Sequence, residues 1–170
     1  SNDFDLRLLS LGNIERIEIM KGASSVLYGS GAATAVISIT TTKASKKSFS
    51  VSTTSIFGTD RSAEDDKYPI ESLTNNISIN GTIGKFFYQA EANHRYSNGL
   101  SAIEAPEEEE AFEEDLFNNF TSRINVGVNI SENITISQFV AYDKLSAGFD
   151  DFSYTDANYS NEIEQFKTGG

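Results

Sequence analysis

The sequence has no cysteine and no tryptophan, a single histidine and a single methionine. Without cysteine there are no disulfides, no thiolate zinc sites and no thiol nucleophile. His94 alone excludes a histidine-rich metal centre and leaves little for imidazole acid–base chemistry. Cations are scarce too. Thirteen Lys and Arg stand against 25 Asp and Glu, for a formal charge of −12 and a pI near 4.4. A nucleic-acid binder needs a basic footprint, so nucleic acid is excluded as a partner. No apolar run reaches the roughly 18 residues of a transmembrane helix. Membrane-crossing strands stay open, because an alternating strand leaves almost no hydropathy signal. Ser1 to Phe4 shows neither the basic nor the apolar stretch of a signal peptide, and Thr168-Gly169-Gly170 is not a natural stop. The chain therefore reads as a piece of a longer one.

What is present points to strands. The 170 residues suit about one domain. The 12 Phe and 7 Tyr, in a chain rich in Ser, Thr and Asn, favour β-structure. Ile17 and Ile19, with Arg16 and Glu18 between them, fit a short strand better than a helix capped by Asn13. Residues 21–32, KGASSVLYGSGA, are punctuated by Gly22, Gly29 and Gly31, with one helical turn expected over Ala23–Tyr28. Residues 35–42, AVISITTT, are a β-branched strand.

From Ser48 onward the pattern is repeated alternation. Phe49, Val51, Thr53 and Ser55 share one face. Ile77, Ile79, Gly81 and Ile83 follow, then Phe86, Tyr88, Ala90 and Ala92 after a tight turn at Gly84-Lys85. The clearest strand is 120–130. Phe120, Ser122, Ile124, Val126, Val128 and Ile130 face one way; Thr121, Arg123, Asn125, Gly127 and Asn129 face the other. A turn at Ser131-Glu132-Asn133 leads to a strand over 134–145 and a last segment over 160–168. Long polar loops are expected at 58–69, 97–115 and 148–159. This is an up-and-down antiparallel meander in which short turns alternate with long loops. Outer-membrane barrels have that asymmetry, and a soluble extracellular β-sandwich that binds glycans or acts as an adhesin shares the alternation.

Residues 14–42, IERIEIMKGASSVLYGSGAATAVISITTT, separate these readings. Glu15, Arg16, Glu18, Lys21, Gly22, Leu27, Tyr28, Gly29, Gly31 and Ala32 fall in register with a pattern that resembles the end of the plug domain of TonB-dependent outer-membrane receptors. The family usually has two glycines before the last plug strand; here Thr34 and Ala35 stand there. The resemblance implies a mainly β fold. Residues 1–45 would be the C-terminal part of a plug, and 46–170 the first five or six strands of a large transmembrane β-barrel. It implies transport rather than catalysis: uptake of a large scarce nutrient, an iron chelate (siderophore) or cobalamin, energised by the TonB complex. It also implies the outer membrane of a Gram-negative bacterium as location, with lipid against the barrel. Residues 141–169 resemble, more faintly, the Asp- and Tyr-rich loop of the cobalamin-receptor branch. Outside its parent barrel such a fragment is expected to self-associate through open strands.

Several motifs invite chemistry. The glycines at 22, 29 and 31 lack the spacing and the Lys-Ser/Thr ending of a phosphate loop and fit tight turns. Ser24, Ser25 and Ser30 have no nucleophile elbow, and His94 sits in an alternating strand as a wall residue. Glu15, Arg16, Glu18 and Lys21 alternate in sign. In a plug they are read as a gating latch against the barrel wall; on an open strand they are solvated edge charges. Glu107–Glu110, Glu113, Glu114 and Asp115 read as a self-repelling solvated loop. Asp150, Asp151 and Asp156 are better spaced for calcium, which would be the one cofactor. Six Asn-x-Ser/Thr sequons, at Asn76, Asn80, Asn119, Asn129, Asn133 and Asn158, follow from composition.

Overall fold

The computed structural model describes residues 14–21, 35–59, 69–99, 115–151 and 155–170. Among them every regular element is a strand, and every strand pairing is antiparallel. Two compact units divide near residues 43 and 44.

The first unit holds a two-stranded ladder. Strand β1, Ile14–Lys21, pairs with β2, Ala35–Thr41. Ile17 lies opposite Ile39 and Ile19 opposite Ile37, so four β-branched side chains share one face. Arg16 and Glu18 take the other, and an irregularity between Ile14 and Arg16 takes up Glu15. Ile17, Ile19 and Ile37 are exposed within this unit. An isolated two-stranded ladder is marginal in water, so this face calls for a cover. The glycine-rich stretch with Gly22, Tyr28, Gly29 and Gly31, and its expected helical turn, lie outside the described residues.

The second unit is one six-stranded sheet in strict sequence order. Its strands are β3 (Ser50–Gly58), β4 (Ser72–Ile83), β5 (Phe86–Ser97), β6 (Phe117–Ser131), β7 (Ile134–Asp151) and β8 (Thr155–Gly169). Turns link β4 to β5 and β6 to β7 through two residues each, Gly84-Lys85 and Glu132-Asn133. Gly84 has φ +61°, a backbone state that costs glycine nothing and that primed hairpin turns require. Both turns lie at the same end of the sheet. The longer connections, 59–71 and 98–116, lie at the other.

The expected loop over 148–159 is a correction. β7 runs on to Asp151 and β8 starts at Thr155, so only 152–154 lie between them, outside the described residues. Two features extend the ladder through a polar stretch. Phe149 pairs with Tyr159, their rings stacked at 5.6 Å, and an irregularity between Phe149 and Asp151 absorbs the odd residue. Cross-strand aromatic pairs add stability where alternation is absent. The acidic run at 107–114 lies outside the described residues.

Aromatic rings cover glycines on neighbouring strands. Phe87 lies opposite Gly127, Phe139 opposite Gly169 and Tyr88 opposite Gly81. A Cβ on Gly127 would press into the Phe87 ring and come within 2.6 Å of the Ile136 carbonyl oxygen. At Gly81 it would meet the Ser48 carbonyl, which accepts the Tyr88 hydroxyl at 2.9 Å. Gly127→Val should therefore destabilise the sheet by about 1–3 kcal/mol through overpacking. Adding Phe87→Ala should recover part of that loss. Urea unfolding of the lipid- or detergent-supported chain measures both; additive losses would show that the ring and the glycine do not fit each other.

Candidate functional site

The register sorts every strand residue onto one of two faces, and the faces differ in kind. One carries Ile77, Ile79 and Ile83 of β4, Phe86, Ala90 and Ala92 of β5, and Ile124, Val126 and Val128 of β6. Ile136 and Val140 of β7 and Phe166 of β8 complete it. From the two-residue turns up to the row Ile77–Ala92–Ser122–Tyr142–Phe166, this face bears no Asp, Glu, Lys or Arg. Its polar groups are tied down. Gln138 Nε2 donates to Thr168 Oγ1 at 2.8 Å, and Ser122 Oγ to the Tyr142 carbonyl at 3.5 Å. One row further on, Asn75, His94, Phe120, Lys144 and Glu164 close the apolar zone. His94 Nε2, on β5, is 3.0 Å from Asn118 Oδ1 there.

The opposite face carries Asn76, Glu91, Asn93, Arg95, Asn119, Thr121, Arg123, Asn125, Asp143 and Lys167. Asp143 is buried and accepts a 2.7 Å ion pair from the half-buried Lys167 ammonium. Arg123 stacks its guanidinium 3.8 Å from the Phe139 ring centre, and Arg95 lies 5.2 Å from that of Phe117. Asn125 Nδ2 donates to Gln89 Oε1 at 3.2 Å.

Burial runs against polarity. Ile124 is 57 % exposed, and Val126, Val128 and Ile130 are exposed with it. Thr121 is 4 % exposed, and Asn76, Asn119 and Asp143 are buried beside it. Ala141 and Leu145, the buried apolar residues, also alternate onto the polar face. Two buried polar atoms there, Asn76 Nδ2 and Thr121 Oγ1, have no hydrogen-bond partner among the described residues. An unmade bond of that kind costs about 1–3 kcal/mol, so this face calls for water or another polar neighbour. A soluble sandwich does the reverse: it packs its apolar face against a second sheet. The six-stranded sheet is the only one in its unit among the described residues.

The site residues expected from sequence fall into three groups. Glu15, Arg16, Glu18 and Lys21 all lie on β1 and are exposed. Arg16 Nη2 and Glu18 Oε2 are 3.5 Å apart with side chains 62 % and 48 % exposed, a pairing that in water is worth at most about 1 kcal/mol. Gly22, Tyr28, Gly29 and Gly31 lie outside the described residues. Asp150 and Asp151 belong to β7 and Asp156 to β8, not to a loop, and their side chains lie outside the described residues. Among the described residues, no group of three or more acidic or histidine side chains is placed to hold a metal. Sequence reasoning missed the Asp143–Lys167 pair and the buried polar row. Register joins these residues, and nothing in the spacing of one strand reveals its partner.

Residues 1–36 match the family model of the TonB-dependent Receptor Plug Domain. The match spans β1 and enters β2, the segment whose residues carry the sequence resemblance. It covers 36 of the 170 residues, so what it shows is a likeness to the plug of outer-membrane receptors of the TonB-dependent type. It does not reach the cobalamin branch or name any nutrient. No curated protein and no solved structure matches the chain.

Lys167→Met would leave the buried Asp143 carboxylate without its cation. Lys167 is partly in water, so the loss should fall near the low end for a broken buried pair, about 2–3 kcal/mol. The double variant Lys167→Met, Asp143→Leu should be more stable than the single one in denaturant titration. Equal stability of all three chains would mean that the pair is fully hydrated.

Proposed function

We propose that residues from 46 onward are consecutive wall strands of a TonB-dependent outer-membrane receptor, that the segment before them ends its plug, and that the receptor imports a large scarce nutrient such as an iron chelate or cobalamin. One observation carries the reading: the uncharged apolar face is exposed while the polar face is buried. A barrel in lipid is patterned that way, with apolar side chains outward and polar ones toward the lumen. The dimensions agree. From Phe120 to Ile130, β6 climbs about 33 Å at about 3.3 Å per residue, and a tilt of about 40° reduces this to about 25 Å, the height of the apolar band of such barrels. The plug match at residues 1–36 supports the same reading and weighs against a passive pore. Short turns at one end of the sheet and long connections at the other fit periplasmic and outer ends respectively.

The partners follow from the family: the TonB complex, the nutrient, and membrane lipid along the apolar face. Calcium at Asp150, Asp151 and Asp156 enters this proposal on ligand type alone. Arg16 and Glu18 are proposed as a lock that holds the plug, because a pair worth little in water becomes decisive once water is excluded.

The wall reading is tested by charge placement. Ile124→Arg puts a cation at mid-height of the apolar face and should cost about 2–4 kcal/mol of membrane stability, while Asn125→Arg, one residue on and on the polar face, should be tolerated. Flotation of the chain with lipid vesicles measures both. Equal flotation of the two variants would sink the assignment of faces, and a soluble wild-type monomer would favour the sandwich. The lock is tested in the whole receptor. Arg16→Ala should raise leakage of small polar solutes and lower energised uptake while nutrient binding persists. Parental leakage and uptake would reduce these charges to solvated edge residues.

A further inference from the structure

The apolar face is not flat. Ala90 and Ala92 on β5 and Ser122 on β6 are small, and the branched or aromatic side chains of Ile77 on β4 and of Val140 and Tyr142 on β7 stand on either side. They line an open depression of about 290 Å³, just below the roughly 300–1,000 Å³ of ligand pockets. The two charged neighbours, Glu91 and Arg123, alternate onto the opposite face.

The chemistry of the depression selects its occupant. Its hydroxyl donors are engaged: Ser122 Oγ donates to the Tyr142 carbonyl, and the Tyr142 hydroxyl to Glu164 Oε1 at 3.1 Å. An extended polypeptide segment would bring backbone C=O groups into a place with no free hydroxyl donor for them, at a penalty for each. An unbranched hydrocarbon chain brings none. One row beyond the depression, about 7 Å along the strands, stands Lys144. Glu164, its cross-strand neighbour, is engaged by Tyr142, and among the described residues Lys144 has no hydrogen bond or ion pair. An apolar depression with an unpaired ammonium one row beyond it is complementary to an amphiphile with an anionic head.

We propose that this depression is a discrete seat for one acyl chain of an anionic membrane lipid, with the lipid phosphate at Lys144. The assignment rests on the wall reading above and adds to it a stoichiometric lipid in place of a uniform solvent.

The test uses the chain in vesicles of phosphatidylethanolamine and phosphatidylglycerol, extracted into mild detergent and weighed by native mass spectrometry. The wild type should retain one phospholipid per chain. Ala92→Phe, and independently Ser122→Leu, fill the slot while keeping the face apolar, and each should lower retention by about tenfold or more. Ile136→Phe, on the same face but outside the slot, should retain lipid as the wild type does. Lys144→Gln should lower retention severalfold. All five chains should float with vesicles alike, which separates the two proposals. Failure of the wild type to float overturns the wall reading and the seat together. Flotation with no retained lipid, or with equal retention in the slot-filling variants, overturns the seat alone. A lipid-free dimer that Ala92→Phe dissociates assigns the slot to a second copy and overturns the lipid. Unchanged retention in Lys144→Gln overturns the placement of the phosphate.

Discussion

Strand register is the constraint on which the rest depends. The side-chain period is two, so a slip of one residue in any ladder would carry Ile124, Val126 and Val128 to the face of Arg123 and Asp143. Six strands keep one alternation in phase through five ladders, with irregularities only near the ends of β6–β7 and β7–β8. The two-residue turns hold that phase, since each fixes which residue faces which: Ile83 opposite Phe86, and Ser131 opposite Ile134. The glycine–aromatic pairs hold it as well. Phe87 fits only opposite a residue without a Cβ, and Gly127 supplies one in a single register.

With the register held, sorting by polarity follows, and the inverted burial follows from that. The polar face can be buried because its groups largely satisfy one another: Asp143 with Lys167, Arg123 with the Phe139 ring, Asn125 with Gln89. The apolar face can stay uncovered only in a solvent that does not penalise exposed Ile and Val, which water does at about 25 cal/mol for each Å². On the proposed wall reading, fold and location are therefore one argument: the sheet is well formed by hydrogen bonding, and hydrocarbon would be the medium in which its side chains are also at ease.

β3 to β6 were legible in the sequence because each has its own alternation or its own turn signal. The 120–130 segment needs no neighbour to be recognised, and Gly84-Lys85 announces its hairpin. The β7–β8 extension was not legible. Gly148, Phe149, Asp150 and Asp151 read as loop by composition, and only pairing with Tyr159 and Ser160 makes them strand. The plug segment was recognisable by resemblance, whereas the Arg16–Glu18 pair says nothing of its surroundings from its own strand. The buried polar row and the apolar depression were illegible for one reason. Asn76, Thr121 and Asp143, or Ala92 and Ser122, lie on different strands and are 22 to 67 residues apart, and only the ladders bring them together.

The sheet's two margins differ in how they treat water and other strands. Along β3 the following strand is one side and nothing described is the other, yet the segment just before it is anchored: Thr82 N–H donates to the Lys47 carbonyl at 2.9 Å, and Ser45 N–H to Asn80 Oδ1 at 2.9 Å. β8 has Glu162, Glu164 and Lys167 along its length, and charged side chains are the usual means of discouraging foreign strands from an open edge. Yet β8 runs for 15 residues, long for an edge that natural sheets keep short. Its charges also sort by face. Glu162 and Glu164 cluster at the end beyond the apolar zone, and the stretch level with Ile124 and Val140 offers Thr168 and Phe166 instead. Only Lys167, on the opposite face, stands level with that zone. On the proposed wall reading the backbone groups of this edge would meet no water there, and pairing with a further strand would satisfy them.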